Sequence, residues 1–150
     1  MGLLFPYKVV ATHHAVVPLG GRWSRPRPLI RVSAIGPKNT LPTEGRLDTG
    51  SDDTVLPERL AGLIGVDLSN APIGQSRTAN MTPVAVRYAQ ITLRMTDGVE
   101  RREWPAWVGF TPAIHRPLLG FAGFLQFFTA TFRGDREQVE LAVNSLYPGT

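Results

Sequence analysis

Residues 46–60 read RLDTGSDDTVLPERL. An acidic residue with threonine, glycine and serine sits between an apolar lead-in and a helix pattern. Asp48 has three possible roles here: helix cap, turn residue, or catalytic carboxylate whose partner lies outside its own chain. An Asp-Thr-Gly-Ser run taken alone is turn chemistry. Its setting adds weight. A strand pattern leads in, Gly50 permits close approach of another backbone, and a helix starts a few residues later. In PERLAGLIG, residues 57–65, Pro57 suits a first helical position. Leu60, Leu63 and Ile64 make an apolar stripe, and Gly65 is a stop signal.

Working outward, LIRVSAIG (29–36) alternates as a strand and PKNTLPTEG (37–45) carries turn signals. Residues 5–19 read as a strand, an excursion and a turn, and RWSRPRP (22–28) as an irregular basic connector. Residues 71–95 predict two strands about a polar connection from Arg77 to Thr82. The apolar phase slips between Tyr88 and Ile91, which predicts a bulge or bend. Asp97-Gly98 signals a hairpin turn before the strand REWPAWVGF (102–110). PLLGFAGFLQFF (117–128) reads as a buried strand running into a short helix, and residues 129–143 as a hairpin turning at Gly134 and Asp135. Trp104 and Trp107 are read as core or interface residues. The sum is a closed, mostly β domain with one or two short helices.

A length of 150 residues suits one domain, and Gly 15 with Pro 13 favours many short strands over long helices. The chain has no cysteine, hence no disulfide and no thiolate metal site. His13 and His14 are neighbours on a strand and face opposite sides, so they cannot share a metal. The opening MGLLFPYKVV lacks a signal-peptide core, no later run is long enough to span a membrane, and a cytoplasmic location is expected. The net charge is +4, but the arginines are scattered apart from Arg22, Arg25 and Arg27 and the pair Arg101 and Arg102. A nucleic-acid face needs clustered cations with interleaved aromatics, so neither nucleic acid nor membrane is an expected partner.

LDTGSDDTVLP (47–57) resembles the active-site loop of retropepsins, the single-domain aspartic proteases typified by retroviral enzymes. VRYAQITLRM (86–95) resembles the strand after the family's flap. WVGFTPAI (107–114) resembles the strand and turn that follow, and LLGFAGFLQFF (118–128) the family's hydrophobic-hydrophobic-Gly motif and helix. These pieces come in family order. Bacterial retropepsin-like proteins are the best comparison.

The resemblance implies a closed acid-protease barrel, with residues 1–28 as an N-terminal strand and basic connector and 29–150 as the protease domain. Asp48 inherits the water-activating role. Thr49 would bond across a dimer axis, Gly50 would meet the substrate backbone, and Ser51 would support the outer oxygen of Asp48. Leu119 and Gly120 would pack behind the loop, with Asp52 as a further supporting residue. Asp53, Ile73, Asn80, Val84 and Ile114 would contact substrate. Retroviral members carry Arg after the motif glycine, paired with the first Asp of the couplet. Phe121 stands there instead, so Asp52 loses that cation, and Arg46, Arg133 or an N-terminal arginine is left to substitute. The flap segment SRTANMT (76–82) is polar rather than glycine-rich.

Two carboxylates held close share one proton, one serving as base and the other polarising the scissile carbonyl. One chain supplies one such loop, so the working unit would be a symmetric homodimer acting on polypeptides, without metal or organic cofactor. Its interface would take in the Asp48 loops, the flap tips near Asn80, and terminal strands around residues 9–11 and 140–143. The alternative is a retropepsin-fold dimeric interaction domain that cleaves little, because fold alone does not fix function.

Overall fold

The computed structural model describes residues 2–77 and 81–150 of the chain. Its strands, in chain order, are β1 (Leu3–Pro6), β2 (Lys8–Val16), β3 (Arg22–Arg27), β4 (Leu29–Ile35), β5 (Thr40–Leu47) and β6 (Val55–Pro57). Helix α1 (Glu58–Ile64) follows, and then β7 (Ile73–Arg77), β8 (Pro83–Thr96), β9 (Arg101–Thr111), β10 (Leu118–Leu119), β11 (Phe128–Arg133) and β12 (Gln138–Val143). No helix among the described residues is long and apolar enough to cross a membrane.

The main sheet has seven strands in the order β4-β5-β10-β6-β9-β8-β7, and β4 also pairs with β8. In β4 the alternation works as read: Ile30, Val32 and Ala34 are buried while Arg31 points out. The turn that follows is shorter than its signals imply. The Gly36 N–H donates to the Asn39 carbonyl at 3.0 Å, and β5 already starts at Thr40. Pro42 is accommodated within β5 because that stretch pairs only with β4, and β10 joins only at Arg46 and Leu47.

The expected basic connector is strand β3, laddered on β2 from Lys8↔Arg27 to Ala11↔Ser24. Pro26 fits because a two-stranded sheet leaves one edge of each strand without a partner. The expected bulge in β8 is also absent. The β8–β9 ladder runs without a shift from Arg87↔Phe110 to Thr96↔Arg101. The phase change has another cause: the first half of β8 pairs with β7, the second half with β4, and each half buries the opposite side of the pleat.

In α1 the buried residues are Leu60, Ala61 and Ile64, while Leu63 is exposed. At 3.6 residues per turn Ala61 and Ile64 flank Leu60 on one side, and Leu63 falls off that face. Pro57 closes β6 rather than opening the helix, and Gly65 ends it at φ 84°. The helix expected after Gly120 is a single 3-10 turn, Leu125–Phe127. Gly123 at φ 87° breaks a right-handed helix there.

The core runs from Ile30 and Val32 through Leu56, Leu60, Leu93, Phe110 and Leu119 to Leu141. At its end Trp104 is 1% exposed, meets Phe124 and Phe128 edge-on at 5.4 and 5.2 Å, and donates from Nε1 to the Gly123 carbonyl at 3.0 Å. Trp107, by contrast, lies 57% exposed on the outer side of β9. A three-stranded sheet places β12 between β1 and β11. The open edge expected at residues 140–143 is therefore largely filled within the chain, with Glu140 and Leu141 paired on both sides.

Candidate active site

The chain leaves β5 at Leu47, which is buried, and turns at once. The Asp48 N–H donates to the Leu119 carbonyl at 3.1 Å, continuing the parallel pairing of β5 with β10. The Ser51 N–H donates to the Asp48 carbonyl at 3.1 Å, and the Gly50 N–H to Asp48 Oδ1 at 2.9 Å. Asp48 is thus a turn residue as well as a candidate nucleophile-activating group. The turn lifts Thr49 and Gly50 into solvent.

Residues 51–54 are braced from behind. The Phe121 N–H donates to the Ser51 carbonyl at 2.9 Å and the Ala122 N–H to that of Asp52 at 2.8 Å, while the Thr54 N–H donates to the Ala122 carbonyl at 3.0 Å. Gly120 makes this approach possible, since a Cβ there would overlap the carbonyl oxygens of Asp53 and Ser51. Leu119 and Gly120 therefore lie where the sequence reading puts them, directly behind the acidic loop.

Ser51 does not reach Asp48 as expected. Its hydroxyl donates to the Asp53 carbonyl at 2.7 Å, because the turn points the two side chains apart. Asp53 takes a second bond at Oδ2, from the Tyr88 hydroxyl at 2.7 Å. Burial, then the bond to Asp53 and its charge, push the Tyr88 phenol up to about 12. Asp52 is exposed and forms no ion pair among the described residues. Arg133 is engaged by Glu140 at 3.8 Å and Arg22 by Glu137 at 2.7 Å, while Arg46 lines the cleft beside the loop. Phe121, in the position of the family's arginine, is 60% exposed.

The acidic loop opens onto a cleft of about 760 Å³. Asp48, Gly50, Ser51, Asp52 and Asp53 lie on one side, and Gln75, Ser76, Val84 and Val86 from the β7–β8 hairpin on another. Val55, Ile114 and Leu118 add apolar wall. Of the expected substrate residues, Asp53, Val84 and Ile114 line this cleft. Ile73 does not: it sits at the outer start of β7, 67% exposed. Asn80 lies outside the described residues. Gln75, Ser76, Val86 and Leu118 were not singled out by sequence, and only the strand pairing brings them to the cleft. No group of three or more His, Cys, Asp or Glu side chains that could hold a metal occurs among the described residues. A second hollow, of about 460 Å³ between α1 and residues 112–115, shares Ile114 with the cleft but does not include Asp48.

No family model matches the chain, and no curated protein matches it. Among solved structures, the crystal structure of a retropepsin-like aspartic protease from Rickettsia conorii matches with a TM-score of 0.50. The match covers 94% of this chain and 93% of that one at 17% identity. An identity so low speaks for the fold alone. The chain is a mostly β protein with one short α-helix, and its fold resembles that of a retropepsin-like aspartic protease.

Proposed function

We propose that the protein is an aspartic endopeptidase, a retropepsin-type barrel working as a symmetric homodimer in which each copy contributes one Asp48. The observation that carries this reading is the placement of Asp48 in a braced Asp-Thr-Gly turn at the edge of a cleft with apolar walls. The fold likeness to a protease of this type supports it.

In the proposed reaction the ionised Asp48 takes a proton from water, and the water oxygen bonds to the scissile carbonyl carbon. The protonated Asp48 of the second copy gives its proton to the carbonyl oxygen, forming a neutral tetrahedral diol. Collapse of the diol returns one hydroxyl proton to a carboxylate, passes the other carboxyl proton to the amide nitrogen, and breaks the C–N bond. One copy supplies one such turn: the Asp52 and Asp53 carbonyls behind it accept from the Ala122 N–H and the Ser51 hydroxyl, and the Asp53 carboxylate accepts from the Tyr88 hydroxyl. Thr49 and Gly50, exposed at the tip, are the residues proposed to meet the second copy and the substrate backbone.

The test is Asp48→Asn. Asn keeps the shape and the bond from the Gly50 N–H but can neither share a proton nor act as base. Digestion of a peptide library should stop, with fold and dimer intact, and wild-type activity should follow an acidic bell-shaped pH profile. Substantial cleavage by pure Asp48→Asn protein, or wild-type rates that keep climbing into alkaline pH, would sink the proposal.

A further inference from the structure

The cleft is electrostatically unbalanced. Among the described side chains that line it, Asp48, Asp52 and Asp53 face one cation, Arg46. Asp52 carries no counter-ion among the described residues, and Asp53 is fixed without being neutralised. The Ser51 hydroxyl holds the Asp53 carbonyl at 2.7 Å and the Tyr88 hydroxyl holds Oδ2 at 2.7 Å, while Oδ1 accepts no bond from a described residue.

The path of the Tyr88 side chain is built into the β7–β8 pair. Tyr88 lies opposite Gly109 in the β8–β9 ladder, and Gly74 pairs with Val86 in the β7–β8 ladder. A Cβ at Gly74 would stand 2.6 Å from the ring's Cε2, and one at Gly109 would stand 3.4 Å from Cε1. Glycine within a strand weakens it and marks close approach of another group. At Gly74 the phenol is that group, so β7 gives up a side chain where the ring passes toward Asp53, while at Gly109 the close neighbour is Val86.

We infer that the cleft selects polypeptides with a cationic side chain beside the cut, and that Tyr88 is the positioning residue that holds Asp53 ready to receive it. This rests on the proteolytic reading above. Uncompensated carboxylates in a cleft concentrate cations there, and a charge-assisted bond to a half-exposed carboxylate is worth about tenfold in affinity.

The probes are short peptides with an apolar core carrying Lys, or Gln in its place, at each flanking position in turn. Binding to Asp48→Asn protein is followed by fluorescence anisotropy, and cleavage by wild type as kcat/KM. The Lys peptide should be favoured by about tenfold at one or more positions, chiefly through KM, and added salt should shrink the preference. Asp53→Asn keeps the shape and can still accept the Tyr88 bond, so it should fold and lose most of the preference. Tyr88→Phe keeps the ring packed on Gly74 and Gly109 and should lower the Lys-to-Gln ratio, whereas a merely structural tie would change melting temperature and leave that ratio alone. Equal handling of Lys and Gln peptides, or a preference that survives Asp53→Asn, overturns the inference. The two proposals fail separately: cleavage without preference removes only this one, and preferential binding without cleavage removes only the proteolytic reading.

Discussion

Tyr88 ties one proton to the stability of the fold. Its hydroxyl donates to an anion in a partly desolvated place, so folding favours the neutral phenol and raises its pKa from 10.0 to about 12. The sign follows from linkage. The contribution is complete below the unfolded value of 10.0 and fades as pH rises through about 12, because the folded state must then give up a proton it holds more tightly. Tyr88→Phe removes both the bond and the titration. Wild type should therefore melt above Tyr88→Phe near neutrality, and the gap should narrow as the pH goes from 10 toward 12. Tyr7 and Tyr147 are also raised, but they occur in both proteins and cancel in the difference. A gap that stays constant across that range would mean the phenol does not carry the bond. Among single residues, Asp48 was legible in the sequence because a turn tetrapeptide keeps its chemistry wherever it sits. Tyr88 was not, because its partner is 35 positions away and only pairing brings them together.

At the scale of elements, the two-residue strand β10 does more than its length implies. It lies between β5 and β6, and the glycine that follows it lets residues 120–122 pass directly behind the acidic loop. Gly120→Val would press a branched side chain into the Ser51 and Asp53 carbonyls, which are backbone and cannot swing aside. A loss of about 1–3 kcal/mol or more is expected, read as a lower melting temperature. An unchanged melting temperature would mean that the loop is not braced there. The same scale explains what sequence reading reached and what it missed. β4 and β12 announce themselves by alternation, because each buries one side. β8 buries opposite sides in its two halves, so a continuous strand imitates a bulge. β3, RWSRPR, carries one proline and four arginine or serine residues, so nothing local marks it, and only its ladder with β2 makes it a strand. The run 118–128 is apolar throughout, and the left-handed Gly123 decides against a helix in a way composition does not reveal.

At the scale of the whole molecule, the proposed reaction needs two chains. Activity per chain should rise with protein concentration, and an interface able to hold such a dimer would bury on the order of 2,000 Å² or more. Mixing excess Asp48→Asn subunits into wild type should suppress cleavage beyond simple dilution, since a mixed dimer holds one ionisable carboxylate of the pair. Activity that stays proportional to wild-type chains, with subunit exchange demonstrated, would show that one chain suffices. Of the terminal residues expected to join such a contact, Glu140 and Leu141 are already paired on both sides within the chain. The placement of the three indoles has a practical consequence. Trp104 is sealed in the core and tied to the Gly123 carbonyl next to the brace behind Asp53, while Trp23 and Trp107 stand 63% and 57% exposed. A water-soluble quencher will extinguish the emission of the latter two and leave that of Trp104. The residual fluorescence is then an optical gauge, needing no label, of whether the support beneath the acidic loop is intact.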